Sequence, residues 1–483
     1  MIPTYNNAGT IADVVRRTLA RCLDVIVVAD GCTDGTLGIL QGIEGITVVS
    51  YPRNAGKGTA LKRGFRRALA MGFSYAITLD ADGQHFPEDI PTLLQANQQH
   101  PGALVVGQRQ GLDTARRSRG SKFANAFSNF WFAILTGRRL KDTQSGYRLY
   151  PLKKLRGLSL LTARYEAELE LLVFAAWHGV RLVSVPVGVF YPSPAERVSH
   201  FRPVRDFSRI FILNTLLCVL ALVYGLPLAL WRALMTFLRS AYSLLFFLGF
   251  MLLIAPPYAL YHILFVRNLE KRRRGLHRLI YFFARLVTIW HGIPGVKLSV
   301  GNPHLEDFTR PAIIICNHQS LLDLMTMLML SPKLVCLTKD WVWNNPLYGY
   351  IIRGAEFYRA TEEMDILLPK LQSLVERGYS IVVYPEGTRS ADCSVSHFHQ
   401  GAFYLAKQLG IDILPIVSYG TGKVLPKKGK YLRKWPIRIE IDKRLGPEEM
   451  QAFGATPRKQ ASGMRAYYIH RYTEMANRIE QDV

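Results

Sequence analysis

The sequence predicts two α/β domains, over residues 1–205 and 275–483, joined across 206–274 by a membrane helical hairpin with basic flanks. Three observations predict this. Residues 210–231 and 241–266 carry no Asp, Glu, Lys or Arg, and a helix needs roughly 20 apolar residues to cross a hydrocarbon core about 30 Å thick. Before these runs, short apolar strands alternate with helical patterns, the signature of a mostly parallel sheet. After them come two further buried strands, AIIIC at 312–316 and SIVVY at 380–384, each leading into polar residues.

The hairpin follows from charge as well as length. Arg197, Arg202, Arg205 and Arg209 precede the first run, and Arg267, Lys271, Arg272, Arg273, Arg274 and Arg278 follow the second. Only Arg232 and Arg239 stand in the connection, expected as a short loop. The positive-inside rule then puts both outer flanks in the cytoplasm. The expected location is the inner (cytoplasmic) membrane, with both domains facing the cytosol. Pro256-Pro257 should kink the second run. Net charge is +24, from 60 Lys+Arg against 36 Asp+Glu. No basic-aromatic nucleic-acid motif accompanies it, so the excess is assigned to anionic lipid rather than to nucleic acid. The six cysteines are scattered without a C-x-x-C pair, as expected of reduced thiols in a cytosolic setting.

In the first half, strands are expected at 24–30, 47–51 and 75–80, with a helix over 58–71. In such sheets ligands bind at the carboxyl ends of strands, where Asp30, Asp80 and Asp82 stand. Two carboxylates in D-x-D spacing suit a divalent cation held against a diphosphate. Gly56-Lys57-Gly58-Thr59 lacks the upstream glycine of a P-loop and is not read as one. Arg109 and Arg148 are candidate phosphate contacts. If the acceptor is a hydroxyl it needs a base, for which Asp142 and Glu168 are candidates; a phosphate acceptor needs none. The stretch 196–210 interleaves Arg with apolar residues and is expected on the bilayer surface.

The stretches IPTYNNAGTI at the start, ADGCTDGT at 29–36, NAGKGTAL at 54–61, LDADGQHFPEDI at 79–90 and DTQSGYRLYP at 142–151 carry a resemblance. Residues 1 to about 205 resemble family 2 glycosyltransferases of the GT-A fold, particularly dolichyl- or polyprenyl-phosphate sugar transferases. The resemblance implies that Asp30 contacts the nucleotide of a nucleotide-sugar. It also implies that Asp80, Asp82 and Gln84 bind Mg2+ or Mn2+ and the diphosphate. The chain departs from the pattern at Ala29, where the family has an acidic or polar residue. Its first strand is also short, which leads us to expect a start upstream of Met1.

In the second half, residues 279–290 are apolar nearly all round but too short to span, and are expected in the membrane interface. His318 follows the strand AIIIC, and Asp323 stands five positions on. The two can meet only if His318 lies in the turn before the helix that carries Asp323. The carboxylate would then fix the imidazole tautomer and leave the other nitrogen as a base. After the second strand come Glu386, Gly387, Thr388 and Arg389, where an Arg can grip phosphate. His397 and His399 lack a third ligand, and 427–434 reads as a solvated basic face.

NHQSLLD at 317–323, EFYRAT at 356–361, YPEGTRS at 384–390 and LPIV at 414–417 together resemble the glycerol-phosphate/lysophosphatidate O-acyltransferase family. The resemblance implies that His318 is the base and Asp323 its orienter, and that Glu386, Gly387, Thr388, Arg389 and Arg359 hold the acceptor. It implies acyl-CoA or acyl carrier protein as donor and no cofactor. Glu356 and Tyr358 stand where the family has a more apolar run. The whole reads as a bifunctional membrane enzyme transferring a sugar and an acyl chain to lipid. The alternatives are an acyltransferase with a degenerate first domain, or a lipid-bound scaffold.

Overall fold

The computed structural model describes residues 1–110, 119–157, 160–190, 203–289 and 292–482, with side chains undescribed at 119–121, 203–207 and 481–482. The chain divides into two compact units, Met1–Trp231 with Glu480–Val483, and Arg232–Ile479.

In the first unit, β1 (Ile2–Thr4), β2 (Val25–Asp30) and β3 (Ile46–Tyr51) form a parallel sheet in that order. β4 (Tyr75–Thr78), β5 (Leu104–Arg109), β6 (Arg148–Pro151) and β7 (Leu182–Val187) pair in the order β4-β6-β5-β7. The Met1 nitrogen donates to the Ile77 carbonyl at 2.7 Å, and the Leu79 amide donates to the Met1 carbonyl at 3.2 Å. β1 and β4 therefore lie side by side and the two sheets run on from one another. The expected parallel sheet holds for β1–β3 and for β5–β7, but β6 runs against both of its neighbours. The reversed strand brings the segment 142–147 back beside the end of β4.

In the second unit, β8 (Leu298–Gly301), β9 (Ala312–Cys316), β10 (Leu334–Thr338), β11 (Tyr358–Arg359), β12 (Ser380–Val383), β13 (Asp412–Tyr419) and β14 (Ile437–Ile441) make one sheet. Its order is β11-β10-β12-β9-β13-β14-β8. Every pairing is parallel except β13–β14. β9 is buried along its whole length, as its unbroken AIIIC requires of a strand covered on both faces. The chain leaves β9 towards β10 and β11, returns through β12, and only then crosses to β13. The strand order thus switches at β9, and a crevice opens beyond its carboxyl end. Tyr468, from the helix Pro457–Asp482, is fully buried against this sheet. Its hydroxyl donates to the Ile315 carbonyl at 2.7 Å and accepts from the Ile416 amide at 3.1 Å.

The two apolar runs are not separated by a loop. Helices Pro203–Leu220, Leu226–Gly249 and Ala255–Phe265 follow one another through π-helical turns at Ala221–Gly225 and Phe250–Ile254. The expected connection around Arg232 and Arg239 is helical, because 231–240 (WRALMTFLRS) contains no Gly, Pro, Asn or Asp and is rich in helix formers. The prolines act locally. Pro227, Pro256 and Pro257 have no N–H for the carbonyls of Val223, Leu252 and Leu253, and each of those carbonyls lies in a π turn, where hydrogen bonding shifts by one residue. Residues 191–202, including Arg197, Arg202 and the first part (196–202) of the expected surface-lying stretch, are outside the described residues, while 203–210 begin the helix Pro203–Leu220.

Residues 279–288 form the second half of the helix Leu269–Thr288. Leu276, Leu279, Phe283 and Ala284 make a stripe at helical spacing that is buried in the second unit's core. Asn268 caps this helix by accepting from the Lys271 amide.

Tyr468→Phe leaves the Ile416 amide and the Ile315 carbonyl without their buried partner. It should destabilise the second unit by about 1–3 kcal/mol, read as a lowered denaturant midpoint at unchanged slope.

Candidate active sites

In the first unit, Thr78 at the end of β4 donates its hydroxyl to the Gly146 carbonyl at 2.7 Å. This joins β4 to the returning segment. Beyond it, Leu79 and Ala81 are buried while Asp80 and Asp82 are half-exposed, the two-residue alternation of extended chain. Lys57, first residue of the helix Lys57–Ala70, lies 2.6 Å from Asp80 Oδ1 and 3.1 Å from Glu168 Oε2. Burial opposes the charge of Lys57, but these two carboxylates hold it above the ordinary lysine value. Burial pushes Asp80 up, but Lys57, His85 and Arg109 together hold it below the usual range. Asp82 goes the other way, pushed up to about 6 by burial and then by the charge of Asp80. Burial pushes His85 down to about 4.

Close approach here depends on a missing side chain. A Cβ on Gly146 would stand 2.6 Å from Asp80 Oδ2 and 2.8 Å from Lys57 Nζ. Asp30 has both carboxylate oxygens on the neighbouring loop, accepting from the Ala55 amide at 2.7 Å and the Gly56 amide at 2.8 Å. It thereby fixes the start of the helix that carries Lys57.

Three expectations change. Arg148 does not face a phosphate: it is fully buried, and its guanidinium donates to the carbonyls of Ser145, Thr143 and Glu168 at 2.7, 2.8 and 2.8 Å. As the first residue of β6 it points into the unit and ties the segment 142–147 to the helix Glu166–Trp177. Asp142 is not placed as a base. Its side chain is wholly buried, and Arg109 grips both oxygens through Nε at 2.7 Å and Nη2 at 2.9 Å. Arg109 is in turn held to this carboxylate in a bidentate pair. Glu168 is better placed, since Lys57 engages Oε2 while Oε1 is buried with no hydrogen-bond partner among the described residues.

The donor chemistry fits a hard divalent cation. Burial and the adjacent Asp80 make the charged form of Asp82 costly, a cost that a cation would relieve, and Mg2+ commonly takes one or two protein carboxylates with the rest from phosphate and water. Among the described residues no group of three His, Cys, Asp or Glu could hold a metal alone, so Asp80 and Asp82, with Gln84 beside them, would be the protein's contribution.

In the second unit, Asn317 and His318 follow the carboxyl end of β9. The Asn317 side chain clamps β13: its Nδ2 donates to the Ser418 carbonyl and its Oδ1 accepts from the Ser418 amide, both at 2.8 Å. His318 Nδ1 lies 3.0 Å from Asp323 Oδ2. The same oxygen accepts the Gln319 and Ser320 amides at 2.6 and 2.7 Å. His318 is therefore in the turn and Asp323 in the first turn of the helix Leu322–Leu328, as the five-residue spacing requires. Tyr384 stacks on the imidazole with centroids 4.3 Å apart. Glu386 is buried and accepts from the His318 amide at 2.8 Å and the Ser396 amide at 3.0 Å. Burial pushes its carboxyl up, partly offset by those amides.

Glu386 thus positions the backbone of His318 rather than reaching out to an acceptor. Gly387 and Thr388 are exposed, Arg389 is half-buried, and Lys427 Nζ lies 3.3 Å from the Thr388 hydroxyl. The basic face at 427–434 therefore borders this site. Arg359 ends the edge strand β11, three strands from β9, or about 14 Å at strand spacing. It lies 3.7 Å from Asp340 and 3.6 Å from Glu362, so the structure does not gather it with His318. Sequence reading missed Lys57 as the cation of the first site, having weighed it only for a P-loop. It also missed Asn317 and Tyr384 as the setting of His318. Both stood inside the quoted motifs.

A family model described as glycosyl transferase family 2 matches residues 1–151, and one described as acyltransferase matches residues 297–419. The chain is 31% identical over 204 residues to a polyprenol monophosphomannose synthase of Mycolicibacterium smegmatis, covering 39% of this chain and 75% of that protein. It is 29% identical over 212 residues to a UDP-N-acetylglucosamine--dolichyl-phosphate N-acetylglucosaminyltransferase of Methanococcus voltae, covering 40% of this chain and 84% of that protein. It is 30% identical over 185 residues to a chloroplastic 1-acyl-sn-glycerol-3-phosphate acyltransferase of Arabidopsis thaliana, covering 37% of this chain and 51% of that protein. The chain spans little more than half the length of the plant and algal acyltransferases it matches.

The raised Asp82 carboxyl gives a pH test. Because its folded value of about 6 exceeds the ordinary 3.8, the folded unit holds more protons than the unfolded chain between those values. Without metal, stability therefore falls as pH rises through that window. In chelator at neutral pH, Asp82→Asn should raise the melting temperature, with the gain fading on acidification towards pH 4. Mg2+ or Mn2+ should stabilise the unsubstituted protein and not the variant. Equal metal response in both removes Asp82 from the metal site.

Proposed function

Because the chain belongs to glycosyl transferase family 2 over residues 1–151 and carries an acyltransferase domain over 297–419, we propose that it is a bifunctional membrane enzyme. The first domain would move a sugar from a nucleotide-sugar to a lipid acceptor, and the second an acyl chain from acyl-CoA or acyl carrier protein to a lipid hydroxyl. The observation that carries the reading is the contact of His318 Nδ1 with Asp323 Oδ2 at 3.0 Å.

With Nδ1–H donated to Asp323, Nε2 is left as the proton acceptor. It takes the proton of the acceptor hydroxyl as that oxygen bonds to the thioester carbonyl carbon. The C–S bond then breaks, and the proton passes from Nε2 to the departing thiolate. Asp323, supported by two amides, steadies the imidazolium between these steps.

In the first site, Asp80 and Asp82 would hold Mg2+ or Mn2+ at the diphosphate. When bound, the ion offsets the charge of the leaving nucleoside diphosphate. Lys57 keeps Asp80 ionised and holds Glu168 in place. Glu168 Oε1 is the available proton acceptor if the sugar's acceptor is a hydroxyl. Attack from the face opposite the diphosphate would make the transfer inverting.

Membrane association is supported by exposure. Ser208–Phe265 is apolar enough to cross a membrane, yet only 22% of its most apolar window is buried, whereas a core helix would be covered. Leu222, Val223, Leu245 and Leu253 are each exposed by two-thirds or more. At 58 residues the run is nearly three times the length that spans a bilayer, and arginines stand at both ends. Both ends, and so both domains, would face the cytoplasm of the inner membrane, where nucleotide-sugars and acyl thioesters are available.

His318→Ala should lower acyl transfer by ~10²–10⁴-fold and leave sugar transfer intact; Asp82→Asn should do the reverse. If both domains act on one molecule, lipid mass spectrometry should show a sugar-bearing lipid short of one acyl chain in the first variant, or an acylated sugar-free lipid in the second. Labelled sugar and labelled acyl chain found always in separate lipids would make them independent enzymes. Reporter fusions at the C terminus should read cytoplasmic, and an external signal there overturns the topology. A fusion at residue 236 should read external if the run crosses the bilayer twice.

A further inference from the structure

In the second unit, where the helix Ala255–Phe265 meets the basic start of the helix Leu269–Thr288, there is a cavity of about 360 Å³. Arg272, Arg273, Arg353 and Glu356 line one side, and Ile263 and Leu269 stand among its apolar residues. The helices meet closely: a Cβ on Gly275 would lie 2.1 Å from the His262 ring.

The charges in this cavity are unequal. Arg273 is neutralised by Glu356 at 2.7 Å. Arg353 gives one donor to the uncharged Trp343 carbonyl at 2.7 Å, and Arg272, although half-buried, has no partner among the described residues. Neither Arg272 nor Arg353 has a carboxylate among the described residues. Two uncompensated guanidinium groups thus share a cavity whose apolar side is exposed at the rim, at Ile263 and Leu269, and beyond it at Leu264 and Phe265. Phosphate suits the first feature and an acyl chain the second.

Its position separates this cavity from the chemistry. Glu356 precedes β11, so it stands at the amino ends of the parallel strands. Arg377, which also pairs with Glu356 at 2.7 Å, precedes β12 on the same edge. His318 and Glu386 follow the carboxyl ends of β9 and β12. Four or five residues of strand, roughly 15 Å, lie between the two edges.

The geometry points to a second lipid site: Arg272 and Arg353 bind the phosphate headgroup of an intact anionic phospholipid, whose chains lie along the apolar end of the preceding helix. This lipid is neither acyl donor nor acceptor. It seats the acyltransferase unit on an anionic membrane surface. The inference rests on the membrane association proposed above and adds a defined headgroup site to it.

Binding of short-chain phosphatidylglycerol to the full-length protein in neutral detergent, followed by thermal shift, tests the site apart from insertion. Arg272→Gln with Arg353→Gln should weaken binding roughly 30-fold, at about one lipid-facing charge each. Lys271→Gln removes an adjacent charge that does not line the cavity and should leave affinity unchanged. Short-chain phosphatidylcholine should bind much more weakly, and inorganic phosphate should not compete at the same concentration. Equal affinity of the double variant, equal binding of phosphatidylcholine, or full competition by inorganic phosphate would overturn the headgroup site. Alkaline extraction of the unsubstituted protein from membranes reports separately on the membrane reading: release into the soluble fraction would sink that reading and leave the detergent result to stand on its own.

Discussion

Both sites rest on one constraint: a carboxylate at the buried end of a strand needs a local partner before it can do chemistry. Removing charge from water costs several kcal/mol per ion unless it is paired or hydrogen-bonded. At the end of β4 the partner is Lys57, and three further features exist to place it. Asp30 ties down the loop before its helix, Gly146 leaves room beside Asp80, and Glu168 supplies a second anion. At the end of β9 the partners are two backbone amides and an imidazole, all on one oxygen of Asp323. In each case one atom is left over: among the described residues Glu168 Oε1 and Asp323 Oδ1 are both buried without a hydrogen bond. A remaining lone pair beside a satisfied one is what lets such a group respond when a proton moves nearby.

How much of this could be read from the chain depends on whether a residue's role is local. The strands of the first unit, the Asp80/Asp82 pair and the His318/Asp323 turn were legible, because a buried strand followed by a polar turn fixes its own geometry within a few residues. Arg148 was misassigned because its role is set by register across β6, which buries it among three carbonyls from two segments. Asp142 was misassigned because its partner Arg109 lies 33 positions away in sequence, and nothing in D-T-Q-S-G announces it. The acyltransferase motifs singled out Glu386, but only the fold shows that its carboxylate holds the His318 amide.

The apolar run shows a different failure. Charge at Arg232 and Arg239 was taken as an interruption of the helix, whereas charge alone does not end one. Helices end where turn chemistry allows it, and 231–240 has none. The prolines at 227, 256 and 257 would have been the better guide, since each coincides with a π turn rather than with a break. A π turn shifts hydrogen bonding by one residue, which matters most where no water is present to take a carbonyl that a proline leaves without its donor.

The basic flank after the run also divides into two kinds of arginine. Arg273 pairs with Glu356, and Arg274 pairs with Glu270 at 3.2 Å. Arg377 bridges Glu356 and Glu270 at 2.7 and 3.1 Å, knitting the helix Leu269–Thr288 to the entrances of β11 and β12. Glu356 holds a left-handed backbone, φ 57°, at a place where the acyltransferase pattern led us to expect apolar residues. An acidic residue there makes sense only together with those arginines, since alone it would be an unpaired charge beside the core. Part of the net charge of +24 is therefore structural, spent within the second unit. Arg267, Lys271, Arg272 and Arg278 are what remain of that flank for an anionic surface among the described residues, and of these Arg272 is set into the cavity.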